Sequence, residues 1–221
     1  MDLSQVRELA IRLAREAGDF AVAEAATVKA IAKGAAGDVV THVDQEAERR
    51  IIAGILAAYP DHAILGEESG QHGDAEAEYR WLVDPLDGTN NYVLGLGSYG
   101  VCITACRGDQ PVVAVVHDSS GQHSYAAVAG SGATRDGQPI TMASPGPLEF
   151  ESVSWLQGYA VKHDDPYRQR TFNQLDRSCR RVLRTWSPSI DRSLVATGKV
   201  AAIIAVPQRT LGSRRRRTDR L

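Results

Sequence analysis

The chain has 221 residues and a formal net charge of −2, with 43% hydrophobic and 24% charged residues, which is ordinary for a globular protein of one domain or two small ones. It has no run of about 18 apolar residues, and charges interrupt the apolar pattern of its first turns, which excludes a membrane span and a signal peptide. Three cysteines without framework spacing argue against a disulfide scaffold, so we expect a cytoplasmic protein.

Two amphipathic helices are predicted at the start of the chain. Apolar residues recur at three- and four-residue spacing between Leu3 and Phe20, and again between Val43 and Ala58. Pro60 closes the second helix. We interpret the acidic and arginine residues between the apolar positions of the second helix as its solvent-exposed face.

Short apolar runs follow, each broken by Gly, Pro, Asp or Asn, and they predict strands joined by turns. In chain order they are HAILGEE, YRWLVDP, YGVCITACR, PVVAVVHD and SYAAVAG. The acidic segment GQHGDAEAEY, residues 70–79, is interpreted as a mobile loop. Two helices followed by a series of strands predict an α+β domain over residues 1–145.

A second layer is predicted beyond the segment SPGPLEF, residues 144–150, which we interpret as a linker. It consists of a strand at SVSWL, a helix near 165–178, the extended run RVLRTW and a helix near 188–198, in which Ser189 is the predicted N-cap. We therefore predict a partial C-terminal α/β substrate domain over residues 146–207. Residues 208–221 are predicted to be an arginine-rich disordered tail.

The segment WLVDPLDGTNNY, residues 81–92, carries the strongest chemical signal. Its apolar strand delivers Asp84, and Asp87, Gly88 and Thr89 follow within five residues. Carboxylates and a hydroxyl beside a glycine suit a hard cation such as Mg²⁺, which prefers oxygen ligands. Asp-Pro and Asp-Gly are also common in turns, so a plain turn is the alternative for this segment on its own.

Two further carboxylate positions follow the same pattern. Glu67 and Glu68 stand at the end of the strand in HAILGEESG, and Asp44 falls in the first turn of the second helix, where the helix dipole favours its ionised form. Each alone has an ordinary interpretation as a solvated loop or a helix cap. Together, at the ends of three successive apolar elements, they favour a cation site.

These segments resemble a known family. GDVVTHVDQEAE, ILGEESG and WLVDPLDGTNNYVLGLGSYGVCIT are similar to the signatures of the inositol monophosphatase family, and ATRDGQPI, residues 133–140, resembles a hairpin of that family. The resemblance implies α+β architecture as a layered αβαβα sandwich, here with an incomplete second layer. It also implies Mg²⁺ as cofactor and, in many members, a homodimer.

The resemblance also implies roles for individual residues. The metal ligands would be Glu67, Asp84, Asp87 and the carbonyl oxygen of Leu86. Thr89, supported by Asp44, would position and deprotonate the attacking water, with Glu68 supporting the metal ligands. The substrate would meet Asp87, Gly88, Thr89 and Ser189. Lys33 would help to hold a further cation.

The activity that this resemblance implies is hydrolysis of a small phosphorylated metabolite, with myo-inositol monophosphate or a related polyol or sugar phosphate as the first candidate. Histidinol phosphate and a nucleotide 3′-phosphate are alternatives. A further alternative is a catalytically impaired relic that only binds metal or phosphate. We expect no nucleic-acid partner, because the six arginines and one aspartate of residues 209–221 (net +5) leave −7 on the rest of the chain.

The C-terminal sequence departs from the family pattern. A Trp-Asp pair and a Gly-rich segment are expected after the VATG helix, where the aspartate would complete the second metal site. Here the chain runs from Pro207 into QRTLGSRRRRTDRL, and Asp219, flanked by arginines, is a poor substitute. The sequence therefore predicts a truncated or frameshifted C-terminus and reduced activity.

Overall fold

The computed structural model describes residues 2–32, 39–142, 144–158 and 161–206, and all structural statements below concern these residues. In chain order they form α1 (Leu3–Glu24), β1 (Ala30–Ala32), β2 (Val39–Thr41), α2 (His42–Ala58), β3 (Ala63–Gly66), β4 (Gly70–His72), β5 (Tyr79–Asp87), α3 (Thr89–Val93), β6 (Gly100–Arg107), β7 (Gln110–Asp118), β8 (His123–Val128), β9 (Gly132–Arg135), β10 (Gln138–Pro139), a 3₁₀ turn (Leu148–Phe150), β11 (Ser152–Gln157), α4 (Pro166–Ser178), β12 (Arg181–Leu183), α5 (Pro188–Ala196) and β13 (Ala202–Val206). The predicted Lys33 site and the tail at 208–221 lie outside the described residues.

The two predicted N-terminal helices are confirmed, and side chains cap the start of each. The Asp2 carboxylate accepts the backbone N–H of Ser4 at the start of α1. In α2, Thr41 and Asp44 form a reciprocal capping box. Both helices bury their apolar stripe in one core, together with strand residues such as Trp81. The helices therefore cover one face of the large sheet.

The interpretation of the charged residues of α2 as its solvent-exposed face is wrong for two acids. Asp44 and Glu48 are only 2% and 1% exposed. They are four positions apart and therefore lie above one another on the helix, beside the buried Val43 and Ala47. Burial makes each of them dependent on hydrogen bonds from the surrounding chain.

Among the described residues the large sheet has eight strands in the order β10-β9-β8-β7-β6-β5-β3-β4. Its pairs are antiparallel except for β3 with β5, which run parallel. The loop predicted at 70–79 is wrong at its start, because Gly70–His72 pairs as β4 along β3. Edge pairing uses backbone groups and needs no apolar run, so the polar sequence did not indicate it.

The second sheet lies beyond the predicted linker. Its described strands run in the order β12-β11-β13, and both pairs are parallel. The predicted strand, helices and extended run of this region are present, while the linker contains the short 3₁₀ turn Leu148–Phe150. The division into domains at residue 145 stays a prediction, although it coincides with the passage from one sheet to the other. No helix within the described ranges has the length and apolar character needed to cross a membrane.

Candidate active site

The turn after β5 brings most of the predicted site together. The pairing of β5 with β6 shifts register between Asp84 and Asp87, so the strand is irregular where it carries the two acids. Gly88 follows with φ +89°, and a Cβ there would lie 2.7 Å from the carbonyl oxygen of Ser98. Glycine is therefore required at this position both by its backbone conformation and by the space available.

A cavity of about 240 Å³ lies between the two sheets at this turn. Six of the predicted site residues line it: Glu67, Asp84, Leu86, Asp87, Gly88 and Thr89. The opposite wall comes from the second sheet and the segment that follows it: Trp155, Leu156, Gln157, Gly158, Arg184, Trp186 and Pro188. The site is thus shared between the parts of the chain that the sequence assigned to two domains.

Asp84 is the electrostatic centre of this cavity. Burial, the charges of Glu67 and Asp87, and a hydrogen bond with Glu67 raise the pKa of Asp84 to about 9. Glu67 is held beside it by its backbone N–H, which donates to the carbonyl of Val83 at 3.0 Å. Clustered acids of this kind repel one another until a cation neutralises them.

The donor set around Asp84 fits a hard divalent cation. It consists of three carboxylates and the carbonyl of Leu86, all of them oxygen ligands on one cavity wall. Within the described parts of the chain, no group of three or more His, Cys, Asp or Glu side chains stands in an arrangement that could hold a metal ion. The fit therefore rests on the oxygen chemistry of the donors and not on a preformed cluster of ligands. Mg²⁺ tolerates such an open arrangement because it keeps several of its water ligands.

Thr89 and Asp44 form a hydroxyl–carboxylate pair at the edge of the cavity. The Thr89 hydroxyl lies 3.0 Å from Asp44 Oδ1 and 2.9 Å from the carbonyl oxygen of Leu86. It has one proton and therefore donates to one of the two acceptors at a time. Asp44 Oδ2 accepts the N–H and hydroxyl of Thr41 at 2.8 and 2.5 Å. Burial nevertheless raises the pKa of Asp44, which favours its action as a proton acceptor.

Asp87 connects the cavity to helix α5. Its Oδ2 accepts the Ser187 hydroxyl at 2.7 Å, and the backbone N–H and hydroxyl of Ser189 at 2.8 and 2.5 Å. The predicted N-cap at Ser189 is wrong: the cap position is Ser187, whose side chain makes no capping bond, and Asp87 takes the first-turn N–H instead. Ser189 is 3% exposed, so its role as a substrate contact stays a prediction, while its contacts favour the positioning of Asp87.

Glu48 supports the site, and the sequence pattern did not indicate it. Its carboxylate accepts the backbone N–H of Glu68 at 2.9 Å and that of Ser69 at 2.8 Å. A Cβ on Gly66 would lie 2.6 Å from this carboxylate, so any larger residue there would have to displace it from these two bonds. Glu68 itself lines a neighbouring cavity rather than the central one, and its predicted supporting role stays a prediction. The one sequence signal for Glu48 was that it follows Asp44 by four positions, which places both acids on the same face of the helix.

We expect Glu48→Gln to lower the free energy of unfolding by about 1–3 kcal/mol, because its amide NH₂ would oppose one of the two backbone N–H donors. The turn that presents Glu67 should loosen as well. Urea denaturation checks the first effect. Glu46→Gln is the matched control, since Glu46 pairs with Arg49 and Arg50 on the exposed face of the same helix. Equal stability of both variants would contradict the support that we assign to Glu48.

The chain resembles known proteins over most of its length. The family model described as the inositol monophosphatase family matches residues 2–211. The Nus factor SuhB of Pseudomonas aeruginosa is 33% identical over 208 residues, covering 88% of this chain and 74% of the relative. The inositol-1-monophosphatase of Synechocystis is 36% identical over 172 residues, covering 76% of this chain and 58% of the relative.

The fold agrees with these matches. The solved inositol monophosphatase of Anabaena superposes with a TM-score of 0.77 at 28% identity, over 90% of this chain and 74% of that one. The motifs quoted above, the shared cavity and the matched length therefore all agree: the chain belongs to the inositol monophosphatase family.

Proposed function

We propose that the chain is a Mg²⁺-dependent phosphatase that hydrolyses a small phosphate monoester. The observation that carries this proposal is the partly buried Asp84, whose pKa is raised to about 9 by burial and by the neighbouring acids on a cavity wall. Ionising this carboxyl group beside two other acids is costly. A divalent cation would supply the positive charge that compensates this cost, which would explain why the three acids lie together. Membership of the inositol monophosphatase family supports the same reaction class.

The residues that would hold Mg²⁺ are Glu67, Asp84, Asp87 and the carbonyl of Leu86. Bound there, the cation would supply charge neutralisation and acidify water for attack on phosphorus. The hydrogen bonds from Ser187 and Ser189 fix the orientation of the Asp87 carboxylate. A ligand with a fixed orientation loses less conformational entropy when a cation binds.

The protein's own part in the proton transfer falls to Thr89 and Asp44. When Thr89 Oγ1 donates to Asp44 Oδ1, its lone pairs face away from that carboxylate and can accept a proton from water. As Thr89 Oγ1 takes that proton, its own hydroxyl proton passes to Asp44 Oδ1, so the water is left as hydroxide, the Thr89 hydroxyl is restored and Asp44 becomes the neutral acid. The backbone N–H groups of Gly88 and Thr89 are proposed to orient the phosphate for in-line attack by water. Such positioning is a main requirement of phosphoryl transfer.

The substrate that we propose is myo-inositol monophosphate or a related polyol or sugar phosphate. A cavity of about 240 Å³ between the two sheets suits a ligand of this size. Histidinol phosphate and a nucleotide 3′-phosphate remain alternatives in the same class. A homodimer and a cytoplasmic location are also proposed, and sedimentation of the purified protein tests the first.

Metal removal tests this proposal directly. Phosphate release from myo-inositol 1-phosphate should stop in excess EDTA, because the acids then have no cation to neutralise them, and should return when Mg²⁺ exceeds the chelator. Phosphate release is measured in both conditions, with Ca²⁺ added in a parallel sample as a cation of different size. Undiminished turnover in EDTA would refute the proposal, and an absence of turnover with Mg²⁺ on all of the proposed substrates would favour the non-catalytic alternative.

A further inference from the structure

The segment from 184 to 186 forms a fixed part of the cavity wall opposite the acids. Thr185 points away from the cavity: its hydroxyl donates to Asp191 Oδ1 at 2.7 Å, and its carbonyl accepts the side-chain amide of Asn91 at 2.6 Å. Arg184 and Trp186, on either side of it, both line the cavity.

Trp186 adopts a backbone conformation that is unfavourable for its residue type. Its φ of +58° lies in the left-handed region, which glycine adopts freely and a bulky residue does not. Such strain persists only where the surroundings over-determine it, and the neighbouring Thr185 is held by two hydrogen bonds. Strained residues that line cavities are often functional, because the strain sets the position of a side chain.

Arg184 is positioned by this tryptophan. Its guanidinium carbon lies 5.7 Å from the centre of the Trp186 ring, within the range of a cation–π contact. Among the described residues that line the cavity, Arg184 is the single cationic side chain, facing three acids on the other wall. A guanidinium that rests on an aromatic ring can still donate hydrogen bonds from its edge to a planar or tetrahedral anion.

We infer that Arg184, supported by Trp186, binds a second anionic group on the alcohol part of the substrate. The preferred substrate is then a phosphate monoester whose leaving group also carries a carboxylate or a second phosphate. The three acids would hold the reacting phosphate through the proposed divalent cation. They would repel an additional anion on the substrate unless a positive side chain such as Arg184 faced that anion from the opposite wall. This inference rests on the proposed phosphatase function and narrows its substrate class.

Two matched pairs of esters test the inference. Glycerol 3-phosphate and 3-phosphoglycerate differ in a CH₂OH or carboxylate end, and 1,3-propanediol monophosphate and bisphosphate differ in a second phosphate. We call the ester that carries a second anionic group, 3-phosphoglycerate or the bisphosphate, the anionic member of its pair. The protein should show a higher kcat/KM for the anionic member of at least one pair, and the pair that shows this preference identifies the second anion. Arg184→Gln should lower kcat/KM for that member by about 10- to 100-fold, the range of a hydrogen bond to a charged group. It should affect the member without the second anionic group much less.

Arg181→Gln is the matched control, because Arg181 is an exposed arginine of the neighbouring strand β12 and does not line the cavity. Arg181→Gln should leave kcat/KM unchanged for both members of the pair. Hydrolysis without preference for either anionic member, or an equal loss on both members in Arg184→Gln, would overturn the inference but leave the proposed function intact. Absence of hydrolysis of all four esters by a protein that releases phosphate from myo-inositol 1-phosphate would overturn the inference alone. Absence of hydrolysis of these esters and of all the proposed substrates with Mg²⁺ would overturn both.

Trp186→Gly separates a functional role of the ring from a packing role. Glycine relieves the left-handed strain, which offsets the lost contacts of the ring and the higher entropy of the unfolded chain, so the melting temperature should change little. Selectivity for the anionic member should fall with the loss of the ring that orients Arg184. A lower melting temperature with unchanged selectivity would show that Trp186 only packs, and would overturn its part in the inference.

Discussion

Asp84→Asn is expected to abolish turnover and, in the absence of metal, to stabilise the protein. The carboxylate is partly buried and interacts with both Glu67 and Asp87, so it is the proposed ligand best placed to share a cation with these two neighbours. Its neutral amide isostere removes a charge that the cation needs. We expect kcat/KM to fall by about 10³-fold or more, the scale of a lost electrostatic contact in an active site.

The gain in stability follows from the direction of the pKa shift. The pKa of Asp84 rises from 3.8 to about 9 on folding, so between these values the folded chain retains a proton that the unfolded chain has lost. The stability of the metal-free protein should therefore fall as pH rises through this window. Asp84→Asn has no proton to lose there and should be the more stable protein at pH 8 without metal.

Addition of Mg²⁺ should reverse this order. A cation that binds only the folded state stabilises it according to its concentration and affinity. The unaltered protein should therefore gain melting temperature with Mg²⁺, while Asp84→Asn should gain little. Asp61→Asn is the control, since Asp61 is exposed and does not line the cavity. A normal Mg²⁺ response in Asp84→Asn would show that this carboxylate is not a ligand.

Thr89→Ala is expected to lower kcat by about 10²- to 10⁴-fold, the contribution of general acid–base catalysis, while magnesium affinity is largely retained. The hydroxyl contacts Asp44 and the Leu86 carbonyl, and no carboxylate ligand is removed with it. Thr89→Ser keeps the hydroxyl and should keep most of the turnover. Single-turnover kinetics and isothermal titration with Mg²⁺ measure the two quantities separately.

The double variant tests whether Thr89 and Asp44 act as one unit. If they do, Thr89→Ala combined with Asp44→Asn should be hardly slower than the slower of the two single variants, because the second change removes nothing that the first has left. Multiplied effects would mean that the two side chains act independently. A loss of Mg²⁺ binding in Thr89→Ala as severe as in Asp84→Asn would contradict the role that we assign to Thr89.

The sequence was informative where the site is local. Asp84, Asp87 and Thr89 lie within one turn at the end of an apolar strand, so their spacing along the chain is enough to place them together. Glu67 follows the neighbouring parallel strand β3, and the ends of parallel strands meet at one edge of a sheet. Such positions depend on contacts between adjacent elements, which periodicity and turn residues predict well.

The missed residues depend on contacts over long distances in the chain. The bond from Ser189 to Asp87 spans 102 residues and that from Ser187 spans 100, so no local pattern indicated that Asp87 caps α5. Glu48 had an acidic helix pattern typical of an exposed face, and only the close approach of the Gly66 turn buries it. The strain at Trp186, next to the anchored Thr185, likewise leaves no sequence signal.

The bonds between Asp87 and α5 make the two sheets thermodynamically interdependent. One carboxylate both orders the first turn of that helix and belongs to the proposed ligand set for the cation. These two equilibria are linked. The factor by which the ordering of α5 raises the affinity for the cation equals the factor by which the bound cation raises the equilibrium constant for the ordering of α5. Substitutions anywhere in the second sheet that disturb α5 will therefore change the magnesium requirement of the protein, although none of them touches a ligand.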